Sequence, residues 1–204
     1  MKRHTSLSAT ALAAALVLAG CGSAESGSSE SSMPGMDHGA TAQSPSAPAS
    51  DTAAAHNSAD AMFARMMIPH HQQAVQMSEI MLAKDGLDPQ ITRLAEQIKA
   101  AQAPEIETMT GWLKTWGDHS SMSGNHGMEG MMTEEDLAAL EKAQGTKASK
   151  MFLTQMIAHH EGAITMAEEE VSNGSNPEAV ALAKTIVKDQ RAEIQKMKDL
   201  LAGL

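Results

Sequence analysis

Apolar side chains return every three or four positions along residues 63–81: Phe63, Met67, Ala74, Met77 and Met81, with His70 in the same series. That 4-3-4-3-4 spacing is one stripe of an α-helix. The same block recurs further on. Met62 to Met77 aligns with Met151 to Met166 at a constant offset of 89, with eight of sixteen positions identical. With a one-residue gap the match continues from Asp88-Pro89 onto Asn176-Pro177, and from Gln102, Glu105 and Met109 onto Gln190, Glu193 and Met197. The chain therefore contains a duplicated unit, over 58–116 and 147–204. Each unit predicts two helices. Asp85-Gly86 and Asn173-Gly174 are stop signals, with Gly suited to the left-handed position past a helix end. Asp88-Pro89 and Asn176-Pro177 are start signals, a cap followed by Pro in the first turn. The second helices carry Leu94, Ile98, Gln102, Glu105, Met109 and Trp112, matched by Leu182, Ile186, Gln190, Glu193, Met197 and Leu200.

Two hairpins that cannot bury a stripe alone predict an all-α, antiparallel four-helix bundle over 58–204. A short helix near 133–143, capped by Thr133, is expected in the 117–146 connection. Pro69 and Pro104 fall inside the helical patterns, each one residue before a polar seam residue. They read as local kinks, or one of them as a helix start.

The first twenty residues read as a signal peptide: Lys2 and Arg3, then an apolar run from Ala9 to Ala19 too short to span a bilayer. Leu18-Ala19-Gly20-Cys21 looks like a lipobox, with Cys21 acylated, so that the mature protein is held to the membrane by lipid at the cell surface or in the periplasm. Residues 21–57, rich in Ser, Ala, Gly and Pro, read as a disordered tether. Removing Lys2 and Arg3 leaves 13 basic against 25 acidic residues, a net charge of −12. That balance argues against nucleic acid as partner. A single Cys excludes a disulfide scaffold and a thiolate zinc site.

Seventeen Met stand against four aromatic residues, Phe63, Phe152, Trp112 and Trp116. The seams also hold polar groups. His70 and His159 sit mid-stripe, as do Gln102, Glu105, Gln190 and Glu193. A buried unpaired carboxylate costs several kcal/mol, so His70 and His159 with Glu105 and Glu193 are expected to form a polar layer across the bundle. Met67, Met77, Met156 and Met166 lie within about two turns of it. His71 and His160 point about 100° away from their neighbours and need not share that layer, though each follows a Met by four residues. A hydrogen-bonded layer that only fixes register is the alternative to a ligand site. Two further clusters lie in segments with no core to fill: Met33, Met36 and His38 in the tether, and His119, Met122, His126, Met128, Met131 and Met132 in the connection.

Thioether with imidazole suits a soft or borderline ion, so copper(I) is the expected metal and silver(I) a second. Outside the cytoplasm Met keeps softness without the oxidation that threatens Cys. A di-iron or di-manganese oxidase would need His three residues after Glu, where Thr108 and Lys196 stand instead. The repeated Met-Ile-x-His-His followed by Ala and Met resembles the family catalogued as domain of unknown function 305, over residues 58–204. The resemblance implies a ferritin-like bundle, metal binding at Met67, His70, His71 and Met77 and at Met156, His159, His160 and Met166, and a role like that of CopM-type copper-resistance proteins. A copper-handling protein would then be the partner, and no covalent chemistry is expected.

Overall fold

A computed structural model of the 204-residue chain describes residues 55–118 and 128–204. Among them the order is α1 (Ser58–Leu82), α2 (Pro89–Thr115), α3 (Glu134–Lys142), α4 (Gly145–Asn173) and α5 (Pro177–Gly203). Four long helices form an antiparallel bundle, and the short α3 lies against α1 and α4. The caps explain most boundaries. Asp88 accepts from the Gln90 amide ahead of Pro89, and Asn176 accepts from the Glu178 and Ala179 amides ahead of Pro177. Thr133 and Asp136 form a reciprocal capping box on α3. The two glycine stop signals act differently from expectation. Gly86 takes a left-handed φ of 68°, but four residues past the end of α1, and Gly174 is extended. Helices α1 and α2 run through Pro69 and Pro104 without ending, so neither proline is a helix start.

Helices α1 and α4 are the central pair and cross antiparallel. The predicted α1 stripe is buried throughout, and it divides the core into two apolar halves. In one half Phe63, Ala64 and Met67 pack with Met109, Ala163, Ala167, Ala183 and Ile186. In the other, Met77, Met81, Ile91, Leu94 and Ile98 pack with Leu140, Phe152, Leu153, Met156 and Met197. Each half holds one Phe, as the duplication requires. The outer helices α2 and α5 meet through long side chains: Lys196 Nζ donates to Gln97 Oε1 (2.6 Å) and Trp112 Nε1 to Glu178 Oε2 (3.3 Å). No helix among the described residues is long and apolar enough to cross a membrane.

Asp60 ties the start of α1 to the α4–α5 turn. One carboxylate oxygen accepts from the Ser175 and Asn176 amides (3.0 and 2.9 Å), the other from the Asn57 amide (2.6 Å) and the Ser175 hydroxyl (3.0 Å). Burial works to raise its pKa, but these hydrogen bonds outweigh it and hold Asp60 below the usual carboxylate range. Glu170 lies alongside, 1% exposed. Its oxygens receive no hydrogen bond from another residue's donor, so it meets the Asp60 carboxylate by keeping its own proton. Burial first, then this sharing with Asp60, pushes Glu170 up to about 8.

Between 4.5 and about 8 the folded chain thus holds a proton that the unfolded chain has lost. Taken alone, this proton makes stability fall as pH rises through that window, by at most about 1.4 kcal/mol per pH unit, and level above it. Glu170→Gln keeps a donor to Asp60 and removes the titration. Its urea midpoint should match the parent's near pH 5 and exceed it at pH 8.5; equal midpoints at pH 8.5 would refute the shared proton.

Candidate metal centre

The two apolar halves are separated by a polar layer. His70 on α1 and His159 on α4 meet at the crossing of the central helices, their ring centroids 3.8 Å apart and tilted by 43°. The neighbouring His71 and His160 are fully buried as well. Here the structure corrects the expected pairing. Glu105 and Glu193 bond His71 and His160, not His70 and His159: His71 Nε2 lies 2.8 Å from Glu105 Oε2 and His160 Nε2 lies 2.7 Å from Glu193 Oε2. The reason is the 100° between adjacent helix positions. It turns the first His of each pair toward the opposite central helix and the second toward its own hairpin partner. Both carboxylate side chains stay about one-fifth exposed (20% and 24%), so they stand between solvent and the imidazoles.

The segment after the connection straps this layer. Gln73 Nε2 donates to the Met132 carbonyl and Gln73 Oε1 accepts from the Met132 amide (2.8 and 2.7 Å). Gly130, at a φ of 81°, lies on α4, where a Cβ would meet the Ala158 carbonyl at 2.5 Å. Gly162 beneath it has no room for a Cβ either, because the Glu129 carbonyl is in the way. That carbonyl sits 3.3 Å from His70 Nε2 and can only accept, so Nε2 carries the proton and Nδ1 is left with its lone pair. The Glu105 and Glu193 carboxylates likewise accept from Nε2 of His71 and His160. The Nδ1 atoms of all four histidines, and Nε2 of His159, are buried without a hydrogen-bond partner.

In metal-binding histidines one ring nitrogen commonly donates to a carboxylate or carbonyl while the other faces the metal; His70, His71 and His160 have the first of these contacts and His159 does not. Thioethers bracket the layer. Met67 and Met156, both fully buried, lie one turn before His70 and His159, from opposite sides because the helices are antiparallel. Met77 is two turns past His70 and packs in an apolar half, while Met166 is half-buried two turns past His159. No three His, Cys, Asp or Glu side chains converge as a ready-made cage among the described residues. The side chains around the layer offer imidazole and thioether groups. Gln102 and Gln190 are buried at the expected seam positions, with side-chain oxygens unpartnered.

The other expected ligands divide. Met128, Met131 and Met132 are half-buried in the strap, and Met132 packs against the apolar core, which corrects the expectation that this segment has no core to fill. Met33, Met36, His38, His119, Met122 and His126, with Cys21, lie outside the described residues. Asp60, Glu170 and Gln73 escaped the sequence reading; only Asp60 had a signal, the Asn57-x-x-Asp60 capping box.

Desolvation first, then the charge of His71, lowers His70 to about 3, and burial with the facing His70 holds His159 well below the ordinary imidazole range. Both rings stay neutral in the fold while the unfolded chain protonates near 6.5. Stability is thus lost as pH falls below 6.5, the unfolded chain taking up protons that the fold refuses. Urea midpoints should drop between pH 7 and 5, and His159→Gln should flatten that drop. Gly162→Ala should destabilise by about 1–3 kcal/mol, as overpacking does, and release the Glu129 carbonyl from His70, readable as a shifted His70 ring signal.

Several solved structures share this fold. No curated protein matches the chain. Its fold is similar to the crystal structure of a DUF305 protein from Streptomyces coelicolor (38% identity, 71% of this chain and 93% of that one, TM-score 0.66). It is similar also to a DUF305 fragment from Deinococcus radiodurans (31%, 72% and 98%, 0.66). CopM in its Cu(I)-bound form is a third (34%, 71% and 96%, 0.61), and CopM structures also exist in Cu(II)-bound, Ag-bound and apo forms. The family model described as Domain of unknown function (DUF305) matches residues 60–201, and the chain belongs to that family.

Proposed function

We propose that this protein binds copper(I), and silver(I) in its place, outside the cytoplasm, and that it sequesters the ion or passes it to a copper-handling partner. The observation that supports this most directly is the central layer: four buried imidazoles, each with an unpartnered Nδ1, bracketed by the Met67 and Met156 thioethers. On His70 and His159, kept neutral by burial, a lone pair is open to a metal at pH values where an exposed His would be protonated. The CopM structures with Cu(I), Cu(II) and Ag support the choice of ion. In this reading His70, His71, His159, His160, Met67 and Met156 supply donors, Glu105 and Glu193 orient His71 and His160, and Met77 packs.

The signal peptide ending before Cys21, the tether over 21–57 and a lipid anchor complete the proposal. They would hold the bundle by lipid to the extracytoplasmic side of the cell membrane, at the cell surface or in the periplasm, with Met33, Met36 and His38 as a first catching segment. His119, Met122, His126, Met128 and Met131 would form another. The Streptomyces coelicolor relative, described as a candidate secreted protein, supports the compartment.

Competition for Cu(I) between the full chain and a chromophoric chelator tests the reading. His70→Ala with His159→Ala should remove the tightest Cu(I) equivalent. Glu105→Gln with Glu193→Gln should weaken it about 10- to 100-fold, the usual effect of losing a partner that orients a ligand. A layer that only sets helix register would show lower stability in these variants with unchanged Cu(I) affinity.

A further inference from the structure

The duplication offers an internal comparison. At one end of the bundle the groove between α1 and α4 is covered by α3: Gln155 Nε2 reaches the Asp136 carbonyl (3.4 Å), Lys84 Nζ reaches the Glu141 carbonyl (2.7 Å), and Leu140 packs with Met77 and Met81. At the other end, the groove related by the 89-residue offset is a cleft of about 110 Å³ whose lining includes Met62, Met66, Met166, Glu169, Glu170 and Asn173. The residues that differ are informative. Met66 replaces Gln155, Glu169 and Glu170 replace Ile80 and Met81, and Asn173 replaces Lys84. One groove has become apolar and covered; its counterpart keeps three thioethers, with Met66 in place of Gln155, and has gained two carboxylates.

Packing against the core accounts for Met166 but not for Met62 and Met66, which belong to neither apolar half. Met62 is 45% exposed, the one large apolar side chain exposed among the described residues, and Met66 and Met166 are half-buried beside the same cleft. Met62 and Met66 are one turn apart on α1, so both face Met166 on α4. Behind them Glu170 is 1% exposed, and its oxygens receive no hydrogen bond from another residue's donor. Neutral thioethers cannot balance a cation's charge, but Glu170 can once it gives up the proton it shares with Asp60 as the ion enters. Thioether sulfur selects a soft cation, and a single positive charge is what one carboxylate neutralises.

The geometry points to a second soft-metal site in this cleft, holding one Cu(I) or Ag(I) ion on the Met62, Met66 and Met166 thioethers with Glu170 as the negative partner. It is separate from the histidine layer, since Met166 lies seven residues, or about 10 Å, beyond His159. The identity of the ion rests on the copper reading; the place does not. The site is exposed where the layer is buried, so it is suited to accept an ion first.

Silver nitrate titrated into the full chain, labelled with 13C at the methionine methyls and the histidine rings, reads both sites at once. The Met62, Met66 and Met166 methyl signals, assigned by single Met→Leu variants, should shift together and saturate. The M62L/M66L/M166L variant, near-isosteric and so still folded, should bind one silver ion fewer and keep the histidine response. An unchanged silver count, or three methyl signals that stay still while the histidine signals move, would overturn the cleft site and leave the layer standing. Methyl signals that move without any histidine response would support the cleft and overturn the layer.

Discussion

Everything in the bundle accommodates the meeting of His70 and His159 where α1 crosses α4. Two rings at 3.8 Å cannot both be charged, and the burial of four imidazoles between apolar halves keeps His70 and His159 neutral. Neutral rings still need their polar edges addressed. The strap answers His70 with the Glu129 carbonyl, and the hairpin partners hold the neighbouring His71 and His160 with Glu105 and Glu193. What is left over is one set of unpartnered ring nitrogens, all inside, with thioether sulfur one turn before His70 and His159. The cost of those unpartnered atoms, about 1–3 kcal/mol each for an unsatisfied buried polar group, is what a bound soft cation would recover.

The near twofold symmetry of the layer is broken around it. The connection between the repeats covers one groove with α3 and then presses Gly130 onto Gly162, where the first repeat has Gln73 holding Met132. The opposite groove keeps its cleft, with the Asp60–Glu170 pair beneath it. Duplication thus built the central pair, and divergence of a few residues made one end a packed lid and the other an opening.

The helices were legible in the sequence to within a residue or two at several ends, because Asp88-Pro89, Asn176-Pro177 and Thr133 announce themselves through local capping chemistry. The α1 stripe was legible for the same reason, since 3.6-residue periodicity is local. The site was legible as a set of residue types and only partly as an arrangement. The wrong assignment of Glu105 and Glu193 to His70 and His159 came from placing all four on one seam, when one position along a helix decides which neighbour a side chain meets. Met132 was misread because loop composition does not reveal what a loop lies upon. Glu170 carried no signal at all: an acid near a helix end usually faces solvent, and only the turn carrying Gly174 and the start of α1 enclose it.

By itself the sequence determined the duplication, the four helices, the seam that faces inward and the softness of the donor set, because each follows from periodicity, caps and side-chain chemistry along one strand of chain. The tertiary structure alone decided which histidines meet each other and which meet carboxylates, which methionines stand beside the imidazoles, and which groove stays open. Those depend on the relative rotation of helices distant in the chain, and rotation is set by packing, which no local pattern encodes.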